Sequence, residues 1–289
     1  MTPLDSSRSF LSTSAPDPVR CLMRTLTGFL RACHPGPTVA VTFVITAFAW
    51  SVGWRLPGVA FLLLAVLVGQ LSVGWSNDAF DAGLDAASGR LSKPTVGDQV
   101  TARALWFGAV AALVLSSALS WIVAGPGGGT CHVFSVAMAW LYNVRLSRTA
   151  WSWLPYALAF GAVPGFVTYG LDGQPPPIWS VFCFAIIGVS AHLANALPDL
   201  ASDADAGKGG LAVRLGRRRS VLLCWTLLAA GTAVLALVAA SSNVLISLCL
   251  VLAYSSAVGY GTWSTKRSGM FIALIGAVMV DVAAVVLVA

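Results

Sequence analysis

Glutamate is absent from this 289-residue chain, and all eleven acidic residues are aspartate. Charged residues make up 10% of the sequence, against roughly 25% in soluble domains. Apolar residues make up 57%, and mean hydropathy is +0.83. So little charge excludes a soluble globular protein and indicates an integral membrane protein. The six cysteines are scattered without a CxxC or His/Cys cluster, so neither a disulfide framework nor a zinc site is indicated, and they read as small packing residues. Histidine occurs three times, and nothing resembles a Ser/His/Asp or Cys/His arrangement. The net charge of +6 comes from basic residues in loops between apolar runs, which speaks of membrane topology and not of nucleic-acid binding.

Residues 1 to about 20 are rich in Ser, Thr, Pro and Asp, lack hydrophobic periodicity and read as a disordered tail without a signal-peptide layout. Val19 to Ala32 fit a short basic amphipathic helix at the membrane surface, with Arg20, Arg24 and Arg31 facing headgroups. Residues 1–33 are thus expected to be a cytoplasmic tail and interfacial helix, and 34–289 a transmembrane domain. Runs of about 17–25 apolar residues mark nine spans, near 37–53, 58–76, 102–124, 130–146, 151–170, 178–197, 217–240, 244–263 and 268–288. The turns at 54–57, 125–129, 172–177 and 241–243 share one side. Of the seventeen Lys and Arg, only Arg55 falls in these turns. The positive-inside rule then places the N-terminus and the long loops in the cytoplasm.

Against this background two acidic clusters stand out. Asn77, Asp78, Asp81 and Asp85 close the second apolar run, with Asn77, Asp81 and Asp85 spaced i, i+4, i+8 on one helical face. Asn195, Asp199 and Asp203 repeat that order and spacing at the end of the sixth. Four spans separate them, so spans one to four and five to eight read as parallel repeats facing one cavity. A carboxylate facing lipid costs ~2.5–3.5 kcal/mol on insertion scales, so both clusters are expected to face a wet interior. Oxygen ligands without His or Cys suit Mg²⁺ bridged to a substrate diphosphate, about two ions in all. A solvated acidic face is the ordinary reading of either cluster alone; the repetition favours a paired metal site.

Cations are needed beside such a site. Lys93 and Lys208 follow the two clusters, and Arg145 and Arg148 follow Tyr142 and Asn143; Lys93 is the first choice and Arg145 the next, with plain positive-inside topology as the alternative for each. Tyr142, Trp151, Tyr156, Phe160 and Tyr169 are candidates to shield a carbocation or to form an interfacial belt. Gln70 and His192 share faces with the acidic ladders, Gln70 for a second substrate and His192 as proton acceptor or structural residue. Asp281, in the last span, has no assigned role. Asp98 is expected at the N-terminus of span three.

These residues resemble the UbiA superfamily of intramembrane prenyltransferases. Asn77, Asp78, Asp81 and Asp85 match its N-D-x-x-D-x-x-x-D motif, and Ser92 to Thr95 its basic-Pro loop. Asn195, Asp199 and Asp203, then Gly207 and Lys208, resemble its second motif, with Asn195 in place of the first Asp; Tyr142 to Arg148 resembles its Tyr-then-basic segment. The resemblance implies an all-α membrane protein with nine helices around a central cavity, a Mg²⁺-bound isoprenyl diphosphate, and transfer of the prenyl group to an acceptor. Asp78, Asp81, Asp199 and Asp203 then carry catalysis, with Asp85, Asn77 and Asn195 as further metal ligands. Lys93, Lys208, Arg145, Tyr142, Tyr156, Gln70 and His192 would bind substrate. The first reading is transfer to a small, lipid-soluble, aromatic acceptor. The first span offers His34 and three threonines but no Arg or Asn to grip an acidic acceptor, which keeps open a terpene cyclase on the same scaffold. An ion-coupled transporter is the third reading, disfavoured because its acids belong near the bilayer midplane.

Overall fold

The computed structural model describes residues 18–198, 200–205, 207, 209–240, 243–263 and 267–288. The tail 1–17 and two candidate site residues, Asp199 and Lys208, lie outside the described residues. The described chain is helical, without strands: α1 (Pro18–Ala32), α2 (Pro35–Ser51), α3 (Gly58–Ala87), α4 (Ala102–Val144), α5 (Leu154–Gly161), α6 (Val163–Asp172), α7 (Ile178–Ala196), α8 (Leu200–Asp205), α9 (Leu211–Ala240), α10 (Val244–Trp263) and α11 (Arg267–Val288).

Each expected apolar run lies on helix, but the boundaries differ where glycine and proline act. The third and fourth runs form one element, α4, of 43 residues. At 1.5 Å per residue a straight helix of that length would reach roughly 65 Å, twice a bilayer core. It does not run straight. Gly125 adopts φ 61°, ψ −172°, Pro126 restarts the helix, and the second limb returns along the first. The Trp121 indole reaches Thr130 at 3.4 Å, and Ser120 meets His132 at 2.7 Å. A Cβ on Gly129 would lie 2.8 Å from the Trp121 backbone, so the expected five-residue turn contracts to a single reversal. The fifth run is two short helices, α5 and α6, which meet at Ala162 with Pro164 starting the second.

Among the described residues five helical segments are long and apolar enough to cross a membrane: α3, α4, α5 with α6, α7 and α9. A sixth is added if α1 and α2, bent by 57°, count as one. The buried core joins α2, α3, α6, α7, α9 and α11 through Phe48, Leu62, Phe166, Phe184, Leu228 and Leu274. Phe61, Phe107, Ile122, Ile178, Leu237 and Leu252 point outward, as expected where lipid replaces water. Small and hydroxyl residues stitch α3 to α4: Ser72 donates to the Ala109 carbonyl and Ser116 to the Ala65 carbonyl, both at 2.8 Å. This is an integral, multi-pass membrane protein.

Candidate functional site

The first acidic cluster rides on unbroken helix because α3 continues to Ala87, beyond the apolar run. Its four members divide between two tasks. Asn77 and Asp81 line a cavity of about 90 Å³, while Asp78 and Asp85 are buried beside it at 1% and 3% exposure. Asp78 Oδ1 accepts from Lys93 Nζ at 2.7 Å and sits 3.0 Å from His34 Nε2. One carboxylate thereby ties α3 to the loop that follows it and to the junction of α1 and α2. Asp81 accepts from Arg148 at 2.9 Å. The Asn77 amide donates to Asn143 at 3.1 Å, and Asn143 donates in turn to Ser76 Oγ and the Val73 carbonyl. With its nitrogen committed there, Asn77 offers the cavity its oxygen.

The second cluster is not one ladder. α7 ends at Ala196, and Asp203 belongs to the separate short helix α8; Pro198, between them, has no N–H to continue the helix. Asp203 still arrives in the cavity with Asn77 and Asp81. Arg90 spans the two clusters, 3.6 Å from Asp85 and 3.7 Å from Asp203. Since both contacts come from one rigid guanidinium, the two carboxylate oxygens are within about 10 Å of each other. Asn195 is exposed and does not line the cavity.

Aromatic and polar groups close the inner wall. Tyr142 and Tyr156 meet edge to face at 5.1 Å, and both rings contact His192, at 5.6 and 4.7 Å. Ser152 lies 3.1 Å from His192 Nε2 and accepts from the Leu211 amide, which fixes the ring against the start of α9. Phe160 stacks on Tyr156 at 6.4 Å. Trp151 is exposed, stacked on Trp153, and Tyr169 lies at the far end of α6. Gln70 is half-buried two turns from Asn77, outside the cavity lining. A second cavity, about 250 Å³, lies at the opposite end between Phe48, Thr168 and Trp179.

Spacing in the sequence favours Arg145 over Arg148; both are exposed, but Arg148 lines the cavity and Arg145, at the end of α4, does not. The 3-10 turn Leu146–Arg148 makes the difference. Nothing in the sequence spacing marks Asn143, Ser152 or the Arg90–Asp203 pair, whose contacts are made across 40 or more residues. Asp98 does not cap α4: the Thr101 side chain accepts from the Ala104 amide at 3.1 Å. Among the described residues no three His, Cys or Asp side chains close on one point. Asp78 Oδ2 and Asp85 Oδ2 are nonetheless buried without a hydrogen-bond partner, at a cost that an added cation would offset.

An all-helical, multi-pass membrane bundle with oxygen-rich acidic groups converging at one end defines the class. The chain belongs to the UbiA prenyltransferase family, whose model matches residues 38–270. Among solved structures it is similar to a UbiA homolog from Archaeoglobus fulgidus bound to GPP and Mg²⁺, at TM-score 0.69 and 16% identity over 90% of this chain and 99% of that one. It is also similar to a digeranylgeranylglyceryl phosphate synthase (TM-score 0.64, 11% identity, 91% and 98% covered). A UbiA homolog from Aeropyrum pernix K1 gives TM-score 0.64 at 17% identity, covering 86% and 98%. Identities this low speak for the fold alone. Among curated proteins none matches the sequence.

Proposed function

We propose that this chain is a Mg²⁺-dependent intramembrane prenyltransferase that ionises an isoprenyl diphosphate and passes the prenyl group to a small lipid-soluble, aromatic acceptor. Membership of the family supports prenyl transfer, and the Archaeoglobus fulgidus UbiA homolog bound to GPP and Mg²⁺ supports the substrate class and the metal. The observation that carries the reading is the meeting of Asp203 with Asn77 and Asp81 in one cavity, with Arg90 between Asp203 and Asp85.

The residues fit the metal. Asp78 and Asp85 each hold an unpartnered buried oxygen, and the set is made of oxygen donors, as Mg²⁺ prefers. Asn77, Asp78, Asp81, Asp85 and Asp203 would hold it, together with Asp199; Asn195, exposed and outside the cavity, is the weakest member of the expected set. Magnesium supplies Lewis-acid neutralisation of the charge that grows on the departing diphosphate. The chain does the rest. Arg148, which lines the cavity, and Lys93 and Arg90, now turned to carboxylates, would bind diphosphate oxygens, with Lys208 a further candidate. The rings of Tyr142 and Tyr156 shield the allylic cation through their faces. His192, held by Ser152, would take the proton released as the product forms. Gln70 is assigned to the acceptor.

Both limbs of α4, with α10 and α11, complete nine crossings in two four-helix repeats plus one. Active-site loops and N-terminus lie in the cytoplasm, where the basic loops put them. One observation favours the cyclase as a second reading: α2 presents nothing ionic to an acceptor. His34 is engaged by Asp78, and Thr38 and Thr46 donate to the carbonyls of Cys33 and Thr42.

The test is pyrophosphate release by the purified protein from geranyl diphosphate with Mg²⁺, with and without a neutral phenolic acceptor. Acceptor-dependent release and a prenylated phenol are expected. A cyclic hydrocarbon formed without acceptor would select the cyclase, and no release under any condition would overturn both.

A further inference from the structure

Helix α1 is bound on one side and bare on the other. Gly28 and Ala32 are buried, and Gly28 approaches Val100 and Gln99 so closely that a Cβ would lie 2.9 Å from Val100. Phe29 meets Trp75 of α3 edge to face at 5.1 Å, and the Trp75 indole donates to the Phe29 carbonyl. On the opposite face Val19, Leu22, Met23, Leu26 and Leu30 form an i, i+3, i+4, i+7, i+11 stripe, 51–67% exposed. Between the faces, Arg24 donates to the Gly97 carbonyl and Arg31 to the Ser92 carbonyl, both at 3.1 Å. The expectation that these arginines face headgroups is thus corrected: two of them grip the loop after α3. That loop carries Lys93, one residue beyond Ser92, and Lys93 holds Asp78.

We propose that α1 is a strap seated in the cytoplasmic bilayer interface that fixes the loop of residues 88–101, and that Arg24 and Arg31 are positioning residues for Lys93. The occupant of the bare stripe is the lipid surface, for three reasons. The chain spans a membrane. The strap joins α2 through a 57° bend at the end of the bundle where Asp78 sits, which sets it obliquely to α2. The stripe is apolar and uncharged along its whole length, as the lipid-facing side of an interfacial helix is. The Thr25 and Thr27 hydroxyls donate to carbonyls of their own helix, which suits an apolar boundary. Seating α1 in lipid would therefore order the loop and present Lys93 to a diphosphate. This consequence for catalysis rests on the function proposed above; the ordering of the loop does not.

The full-length protein is reconstituted in phosphatidylglycerol nanodiscs and compared with Leu22→Ser/Leu26→Ser and with Arg24→Ala/Arg31→Ala. Hydrogen exchange of residues 88–101, read without substrate, is expected to quicken in both variants, while α7 and α9 exchange as in the parent. Unchanged exchange in the loop overturns the proposal whatever the enzyme does. A change of oligomeric state in the Leu22→Ser/Leu26→Ser variant overturns it in favour of a second copy on the stripe. With geranyl diphosphate, Arg24→Ala/Arg31→Ala is expected to raise KM roughly 3- to 10-fold, the effect of losing hydrogen bonds from charged donors, with kcat retained. Arg24→Lys/Arg31→Lys should recover part of the difference. A fall in kcat with unchanged KM, or no recovery by lysine, overturns the positioning role.

Discussion

Arg148 donates to Asp81 at 2.9 Å, so the turn after α4 is pinned to the acidic ladder of α3 across 67 residues of chain. Arg145, three residues earlier, does not line the cavity. The pair separates two kinds of basic residue that look alike in sequence: one set by topology, the other by the site. Arg148→Ala is expected to lower kcat/KM for an isoprenyl diphosphate roughly 10- to 100-fold, the range for a lost charge-assisted contact. Arg145→Ala should stay within about threefold, because the side chain makes no contact in the cavity and mutation at an exposed site changes little. Steady-state pyrophosphate release measures both; equal losses would reject the distinction.

The two acids that reach the cavity from different elements give the sharpest test of the shared site. Asp81→Ala and Asp203→Asn each remove an oxygen donor where two clusters meet. Each should cut turnover by at least about a hundredfold, the scale of lost electrostatic stabilisation. Both groups are partly solvated at the cavity, so the thermal midpoint should move by no more than about 4 °C. Retained turnover in either variant would detach its cluster from catalysis.

How much of this was legible depends on whether a helix continues. Asn77, Asp81 and Asp85 could be placed on one element because α3 outlasts its apolar run. The i+8 register expected of Asp203 from Asn195 does not hold, because Pro198 ends the hydrogen-bond ladder and spacing across a break has no helical meaning. The hairpin within α4 was legible as a break at Gly125 and Pro126, but not as a reversal of one residue, since the close approach of Gly129 to Trp121 is a tertiary fact. Arg90 illustrates the remaining gap. Its partners lie on α3 and α8, and only the packed bundle brings these together.

Helix contact at the mouth of the site gives a stability prediction. A Cβ at Gly74 would lie 2.7 Å from the Cys33 carbonyl oxygen and 2.8 Å from its Cα. These are backbone atoms, which cannot swing aside as a side chain can. Gly74→Ala should therefore destabilise by about 1–3 kcal/mol, as overpacking does, and displace His34 from Asp78. Thermal unfolding in detergent reads the first effect. Gly83→Ala, at a position with nothing within 4 Å, is the control and should not destabilise.

Asp281 now has a structural place. It is 1% exposed, and its Oδ1 accepts from Thr232 of α9 at 2.6 Å, tying α11 to α9. Its Oδ2 has no partner, and the pair sits away from the acidic cavity. Removing one partner strands a buried polar group, whereas removing both leaves only packing. Thr232→Val alone is therefore expected to cost about 1–3 kcal/mol, and Thr232→Val/Asp281→Leu to recover most of that loss. Pyrophosphate release per folded molecule should be unchanged in both. Loss of turnover in the stable double variant would show that Asp281 contributes to the reaction as well as to the seam between α9 and α11.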